Sequence, residues 1–121
     1  MKQQILVIDD ELGPREAFRM LLKDRFDLCM AASGPEGLAR VAERDFDLVL
    51  LDLRMPGMDG IEVLRELRAL RPTLPVVVVT AFATVETAEE AIAMGAFASL
   101  IKPFNRRDVE RVIERALNPA P

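Results

Sequence analysis

The sequence predicts an α/β fold: a doubly wound, five-stranded parallel sheet with helices on both faces. Two observations predict it. Five short apolar runs alternate with five amphipathic helical segments, and the runs are apolar enough to read as strands covered on both sides. Right-handed crossovers between such strands place helices on both faces of the sheet.

The strand candidates are Ile5 to Ile8, Leu28 to Ala31, Leu48 to Leu51, Val76 to Val79 and Ala98 to Ile101. The fourth is four valines in a row, and β-branching favours strand over helix there. Each intervening segment carries a helix signal. Pro14 suits a first helical turn, with Phe18, Leu21 and Leu22 on one face. Ser33-Gly34-Pro35-Glu36 matches a capping box ahead of an inner face of Leu38, Val41 and Ala42. Ile61, Leu64 and Leu67 share a face, and Arg71-Pro72 ends that helix. Thr84 suits a cap for the next, with Ala88, Ala91 and Ile92 inward and Gly95 as a left-handed C-terminal cap. Asn105 and Asp108 open the last helix, whose inner face is Val109, Val112, Ile113, Ala116 and Leu117. Asn118 and the Pro119-Ala120-Pro121 tail stop it, so the expected domain is 1–118, with 119–121 as its edge or the start of a linker.

Composition narrows the function classes. At 121 residues and 50% hydrophobic, the chain suits one domain with a sizeable core. A formal charge of -4 argues against direct nucleic-acid binding, which wants a basic face. The single cysteine, Cys29, excludes an intramolecular disulfide and reads as a small core residue in a reducing compartment. No apolar run approaches the roughly 20 residues that span a bilayer. The N-terminal apolar stretch is too short for a secretory signal. The expectation is a soluble, cytoplasmic protein without membrane contact.

The chemistry gathers where the strands end. Asp9, Asp10 and Glu11 follow the first run, Asp52 the third, Thr80 the fourth and Lys102 the fifth. In a parallel sheet these positions share one edge, the carboxyl edge where α/β proteins bind ligands. Clustered carboxylates repel, and a shared cation relieves them. Hard oxygen donors at an incomplete site suit Mg²⁺, which keeps waters and recruits phosphate oxygens. A carboxylate can attack phosphorus to form an acyl phosphate. Lys102 would then supply charge and Thr80 a hydroxyl to the phosphoryl oxygens, and the small Ala81 leaves the site accessible.

With these residues in place, the chain resembles the receiver domains of two-component response regulators over nearly its whole length. The likeness rests on the acidic pair, on Leu51-Asp52-Leu53-Arg54-Met55-Pro56-Gly57-Met58-Asp59-Gly60, on Thr80-Ala81 and on Lys102-Pro103-Phe104. Each motif alone is weak, whereas together at this spacing they are highly specific. The resemblance implies a flavodoxin-like strand order of 2-1-3-4-5. It implies Asp52 as phosphoacceptor, Asp10 as a direct Mg²⁺ ligand, Asp9 acting through water, and the Arg54 backbone carbonyl as a further ligand. It implies that Thr80 moves toward the phosphoryl group, that Lys102 pairs with it, and that the Lys102–Pro103 bond is cis. It implies a sensor histidine kinase as partner, an attached C-terminal effector domain or a separate output protein, and a monomer or a phosphorylation-dependent dimer. The domain would promote its own phosphorylation and dephosphorylation without being a free-standing enzyme. The sequence departs from the pattern at Ser99, where the family usually carries an aromatic, although Phe97 is near.

Plainer readings compete at each position. Asp9-Asp10-Glu11 can be an acidic helix cap, Asp52 a turn residue, Thr80 a strand end and Lys102 a surface lysine. All four at one sheet edge make an improbable coincidence. Met55, Met58 and Met94 read as packing or turn residues. Arg106-Arg107 and the Arg65, Arg68 and Arg71 stripe read as solvated faces. Val85, Ala88 and Ala91 with the last helix offer a candidate partner surface. A haloacid-dehalogenase-like phosphohydrolase would need an acid where Arg54 stands, and a flavin-binding protein a glycine- and hydroxyl-rich loop where the acids stand. The main alternative is a receiver-like constitutive interaction module with weak or unused phosphorylation, which Ser99 favours.

Overall fold

The computed structural model describes residues 2–55, 59–81 and 85–118. Met58, the expected Thr84 cap, the Val85 side chain and the expected 119–121 edge lie outside the described residues. Five strands alternate with five helices: β1 (Gln3–Ile8), α1 (Leu12–Leu22), β2 (Phe26–Ala31), α2 (Gly34–Glu43), β3 (Leu48–Asp52), α3 (Gly60–Leu70), β4 (Val76–Thr80), α4 (Val85–Ala93), β5 (Ala98–Ile101) and α5 (Arg106–Leu117). All pairings are parallel, and the strand order is β2-β1-β3-β4-β5.

Two cores sandwich the sheet. Leu6, Ile8, Val49, Leu51, Val76 and Val78 face α2, α3 and α4, while Ile5, Val7, Leu50, Val77, Val79 and Leu100 face α1 and α5. Burial on both faces holds for the central strands β1, β3 and β4. It fails at the two edges. In β2, Leu28, Cys29 and Met30 are only partly buried, and in β5 Ile101 is 50% exposed. An edge strand has a neighbour on one side only, and an equally apolar run cannot reveal that.

The helix signals hold with informative exceptions. Ser33 Oγ accepts from the Glu36 N–H at 3.2 Å, but the Glu36 carboxylate reaches past the cap to the Ala32 N–H. At α5 the box is fully reciprocal between Asn105 and Asp108. The α4 helix closes in a Schellman motif, with Gly95 N–H to Ile92 O and Ala96 N–H to Ala91 O, both 3.0 Å, and Gly95 at φ +103°. Arg71 ends α3 as expected. Ala42 is exposed, because α2 turns Gly34, Gly37 and Val41 inward. At Gly37 even a methyl group would overlap Ile8, so α2 sits close on β1. Ile92 is 46% exposed for a similar reason: among the described side chains of α4 it is the small Ala91 that is buried. The basic stripe on α3 is not uniformly solvated. Arg68 is half-buried beside Gly95 and donates to the Pro72 carbonyl, and Arg71 donates to the Val41 carbonyl at 2.9 Å. Met55 and Met94 pack against the core, as expected.

Candidate functional site

The order of the sheet reverses between β1 and β3, which run side by side with Ile8 opposite Leu51. The crevice at such a switch point, beyond the carboxyl ends of the strands, is where ligands bind in open α/β sheets. Asp9 and Asp10 leave β1 there, and Asp52 is the last residue of β3. Asp52 and Thr80 therefore close their strands instead of following them, and both are buried. Lys102 follows β5, with its N–H on the Thr80 carbonyl at 2.9 Å. The Lys102–Pro103 bond is cis, as expected.

The loops are held by the local sequence. The Asp9 N–H continues the sheet ladder to the Ala31 carbonyl at 3.1 Å, and Asp9 Oδ1 accepts the Glu11 N–H at 2.9 Å. Asp52 Oδ1 accepts the Arg54 N–H at 3.1 Å, and the Leu53 N–H reaches the Val79 carbonyl. Beyond Lys102, the Phe104 ring stacks on Phe18 of α1 with centroids 5.6 Å apart, a contact worth about 1 kcal/mol beyond its burial. That stack ties the lysine loop to the helix that follows the acidic pair.

Carboxylate oxygens of Asp9, Asp10 and Asp52 all lie within 4.8 Å of one another. Glu11, Asp52, Arg54, Ala81 and Lys102 line the cleft above them. Burial pushes the Asp52 carboxyl up to about 6, and the Arg54 N–H opposes that push. The Asp9 and Asp10 charges raise it further, and the Lys102 ammonium lowers it. Asp9 is likewise raised, chiefly by burial, against the Glu11 N–H and the Lys102 charge. One ammonium thus acts on both carboxyls. Asp10 Oδ1 is buried without a hydrogen-bond partner among the described residues. A buried, unpaired carboxylate oxygen beside two other carboxylates is costly without a cation. The donor set is all hard oxygen, which fits Mg²⁺.

The plainer readings fare unevenly. Asp52 does make the turn-type bond to Arg54, yet it does so from a buried strand end. The acidic run does not cap α1: Glu11 occupies the cap position with no side-chain cap bond, and the first turn holds no acid. Arg15, which the sequence does not single out, reaches back over the turn and donates from Nη1 to the Asp9 carbonyl at 2.8 Å. A lone arginine in a first helical turn carries no signal of that contact.

Fold and site together define a class of protein, a single α/β unit with an acidic pocket and a lysine at its switch point. The model of the response regulator receiver domain matches residues 5–114, so the chain belongs to that family of two-component signalling domains. It is 44% identical over 117 residues to the transcriptional regulatory protein ZraR of Salmonella typhimurium, covering 96% of this chain and 26% of the relative. It is 31% identical to the sporulation initiation phosphotransferase F of Bacillus subtilis, covering 97% of this chain and 95% of that one. The chain thus spans about a quarter of the length of the ZraR relatives and nearly all of the phosphotransferase. Among solved structures, a CheY-like receiver domain protein from Methanospirillum hungatei superposes with a TM-score of 0.93 at 31% identity, covering 98% of this chain and 95% of that chain. The receiver domain of NtrX from Brucella abortus superposes at 0.90 with 35% identity, covering 96% and 99%.

Proposed function

We propose that this receiver takes a phosphoryl group onto Asp52 from a sensor histidine kinase or a small phosphodonor, with Mg²⁺ as cofactor. The observation that carries the reading is the buried Asp52 carboxylate at a strand end, beside Asp9 and Asp10 and within the field of Lys102. Asp10, Asp52 and the Arg54 carbonyl would hold the ion directly, and Asp9 through water. Asp10 suits the direct role, since its Oδ1 is buried with no hydrogen-bond partner among the described residues. When bound, Mg²⁺ supplies positive charge to the phosphoryl oxygens.

The chain's own residues do the rest. With a carboxyl pKa of about 6, Asp52 is roughly nine-tenths ionised at pH 7 and so is a competent nucleophile. Its Oδ1 is oriented by the Arg54 N–H, which leaves Oδ2 for attack on phosphorus. The new O–P bond forms as the bond from phosphorus to the donor breaks, and the donor leaves with that electron pair. Lys102 pairs with the phosphoryl oxygens, the Thr80 hydroxyl donates to them, and Ala81 leaves the cleft open to the donor. The domain promotes its own phosphorylation and dephosphorylation and is no free-standing enzyme, because the substrate carboxylate is its own.

The receiver would occupy 1–118 in the cytoplasm, with 119–121 as edge or linker. Among the described residues no helix is long and apolar enough to cross a membrane. ZraR, at 26% coverage, supports an attached effector and a role in transcription, and the phosphotransferase, at 95%, supports a separate output partner. Phosphorylation would act through conformation, on a monomer or a phosphorylation-dependent dimer.

Ser99 favours a second reading, a constitutive interaction module. It lies half-buried on β5 opposite Val78, where an aromatic switch would stand. The phosphoacceptor reading is tested with beryllofluoride, a phosphoryl mimic, followed by ¹⁹F NMR. A bound resonance that requires both Mg²⁺ and Asp52 supports it. No bound resonance on the wild type, or the same one on Asp52→Asn, sinks it.

A further inference from the structure

The Asp10 carboxylate poses a placement problem. Its Oδ1 is buried and has no hydrogen-bond partner among the described residues, so no such bond orients that oxygen. Its direction then depends on the backbone that carries it. The rigid peptide plane joining Asp9 to Asp10 holds both the Asp9 carbonyl and the Asp10 Cα, so fixing that carbonyl constrains where the Asp10 Cα stands. The Asp9 N–H is the last rung from β1 to β2, so the carbonyl lies past the sheet ladder. Arg15, half-buried in the first turns of α1, supplies its donor: Nη1 stands 2.8 Å from the Asp9 oxygen. Asp9 is thereby pinned at three points, its N–H by Ala31, its carboxylate by Glu11 and its carbonyl by Arg15.

We infer that Arg15 is a positioning residue for the metal site, holding the Asp9 carbonyl so that Asp10 presents its carboxylate to the cation. The inference rests on the Mg²⁺ reading above and adds a residue to it. Groups that orient a metal ligand typically change affinity by about 10–100-fold when removed. Charge alone argues the opposite sign. A guanidinium near a divalent cation repels it, so neutralising Arg15 would tighten binding if electrostatics were its whole effect. Positioning and charge therefore make contrary forecasts for one substitution.

The test is Mg²⁺ titration by isothermal calorimetry on wild type, Arg15→Met and Ala116→Gly, with metal-free melting curves for each. Arg15→Met keeps much of the side-chain length and removes the donor and the charge. Ala116→Gly loosens α5, remote in sequence from the acidic pair, and controls for general destabilisation. The expected result is an Mg²⁺ dissociation constant about tenfold weaker in Arg15→Met and unchanged in Ala116→Gly. Unchanged or tighter binding in Arg15→Met overturns the inference. So does equal weakening in Ala116→Gly at a similar loss of melting temperature. A wild type that takes up no Mg²⁺ shows instead that the cofactor reading itself has failed, and the role of Arg15 falls with it.

Discussion

Gly60, the first residue of α3, lies against the backbone of Leu53, the residue after Asp52. A methyl group on Gly60 would overlap the Leu53 Cα and stand 2.7 Å from its carbonyl oxygen. Backbone, unlike a flexible side-chain end, cannot step aside cheaply. The start of α3 thus sets how the chain leaves Asp52, the proposed phosphoacceptor.

Gly60→Ala should accordingly destabilise the fold by about 1–3 kcal/mol, the usual range for overpacking a tight contact. Urea denaturation reads the loss. Phosphorylation by acetyl phosphate should slow as well, because relief of the overlap moves Leu53 and its neighbour Asp52.

The raised Asp52 carboxyl has a consequence for stability. Its ordinary value of 3.8 rises to about 6 in the folded protein, so the folded state holds the proton more tightly than the unfolded chain. Metal-free stability is therefore greatest below pH 3.8 as far as this group is concerned, and it falls as pH rises through 6. Asp52→Asn removes the penalty. At pH 7 without metal the variant should be more stable by on the order of 3 kcal/mol, a gain of roughly 10 °C in melting temperature. The gap should open between pH 4 and 6 and stay level above, which paired melting curves across pH will show.

Lys102→Met removes an ammonium that lowers both Asp52 and Asp9. Both carboxyls should rise further, so the midpoint of the pH–rate profile for acetyl phosphate should move upward. At saturating Mg²⁺ and high pH the rate should still fall, by on the order of 100-fold, as expected for losing a charge placed on the reacting group. A rate restored fully at high pH would mean that Lys102 acts on ionisation alone.

Gly95→Ala should cost about 1–2 kcal/mol, because φ there is +103° and an added Cβ would meet the Arg68 side chain. Thermal melting measures it. The cost should change little in an Arg68→Ala background, since the backbone conformation remains strained for alanine.

Much of the fold and site is legible from pattern alone. Asp9, Asp52, Thr80 and Lys102 can be placed because each stands at the end of an apolar run, and parallel strands bring their carboxyl ends to one edge. The half-exposure of β2 and β5 is not legible, because an edge strand and a central one can be equally apolar along the chain. Ala42 and Ile92 each sit one helical position off the inner face that their spacing predicts. The phase of α2 is set by the close approach of Gly37 to Ile8, and a residue with no side chain leaves no hydrophobic mark. Arg15 is invisible for another reason. Its contact is with a backbone carbonyl, and every residue has one.

Phosphorylation at Asp52 is most simply decided by intact mass after incubation with Mg²⁺ and acetyl phosphate, beside Asp52→Asn and a metal-free control. The wild type should gain one phosphoryl group, and both controls should gain none. An equal gain on Asp52→Asn, or an unmodified wild type that also binds no beryllofluoride, would mean that Asp52 is not the phosphoacceptor.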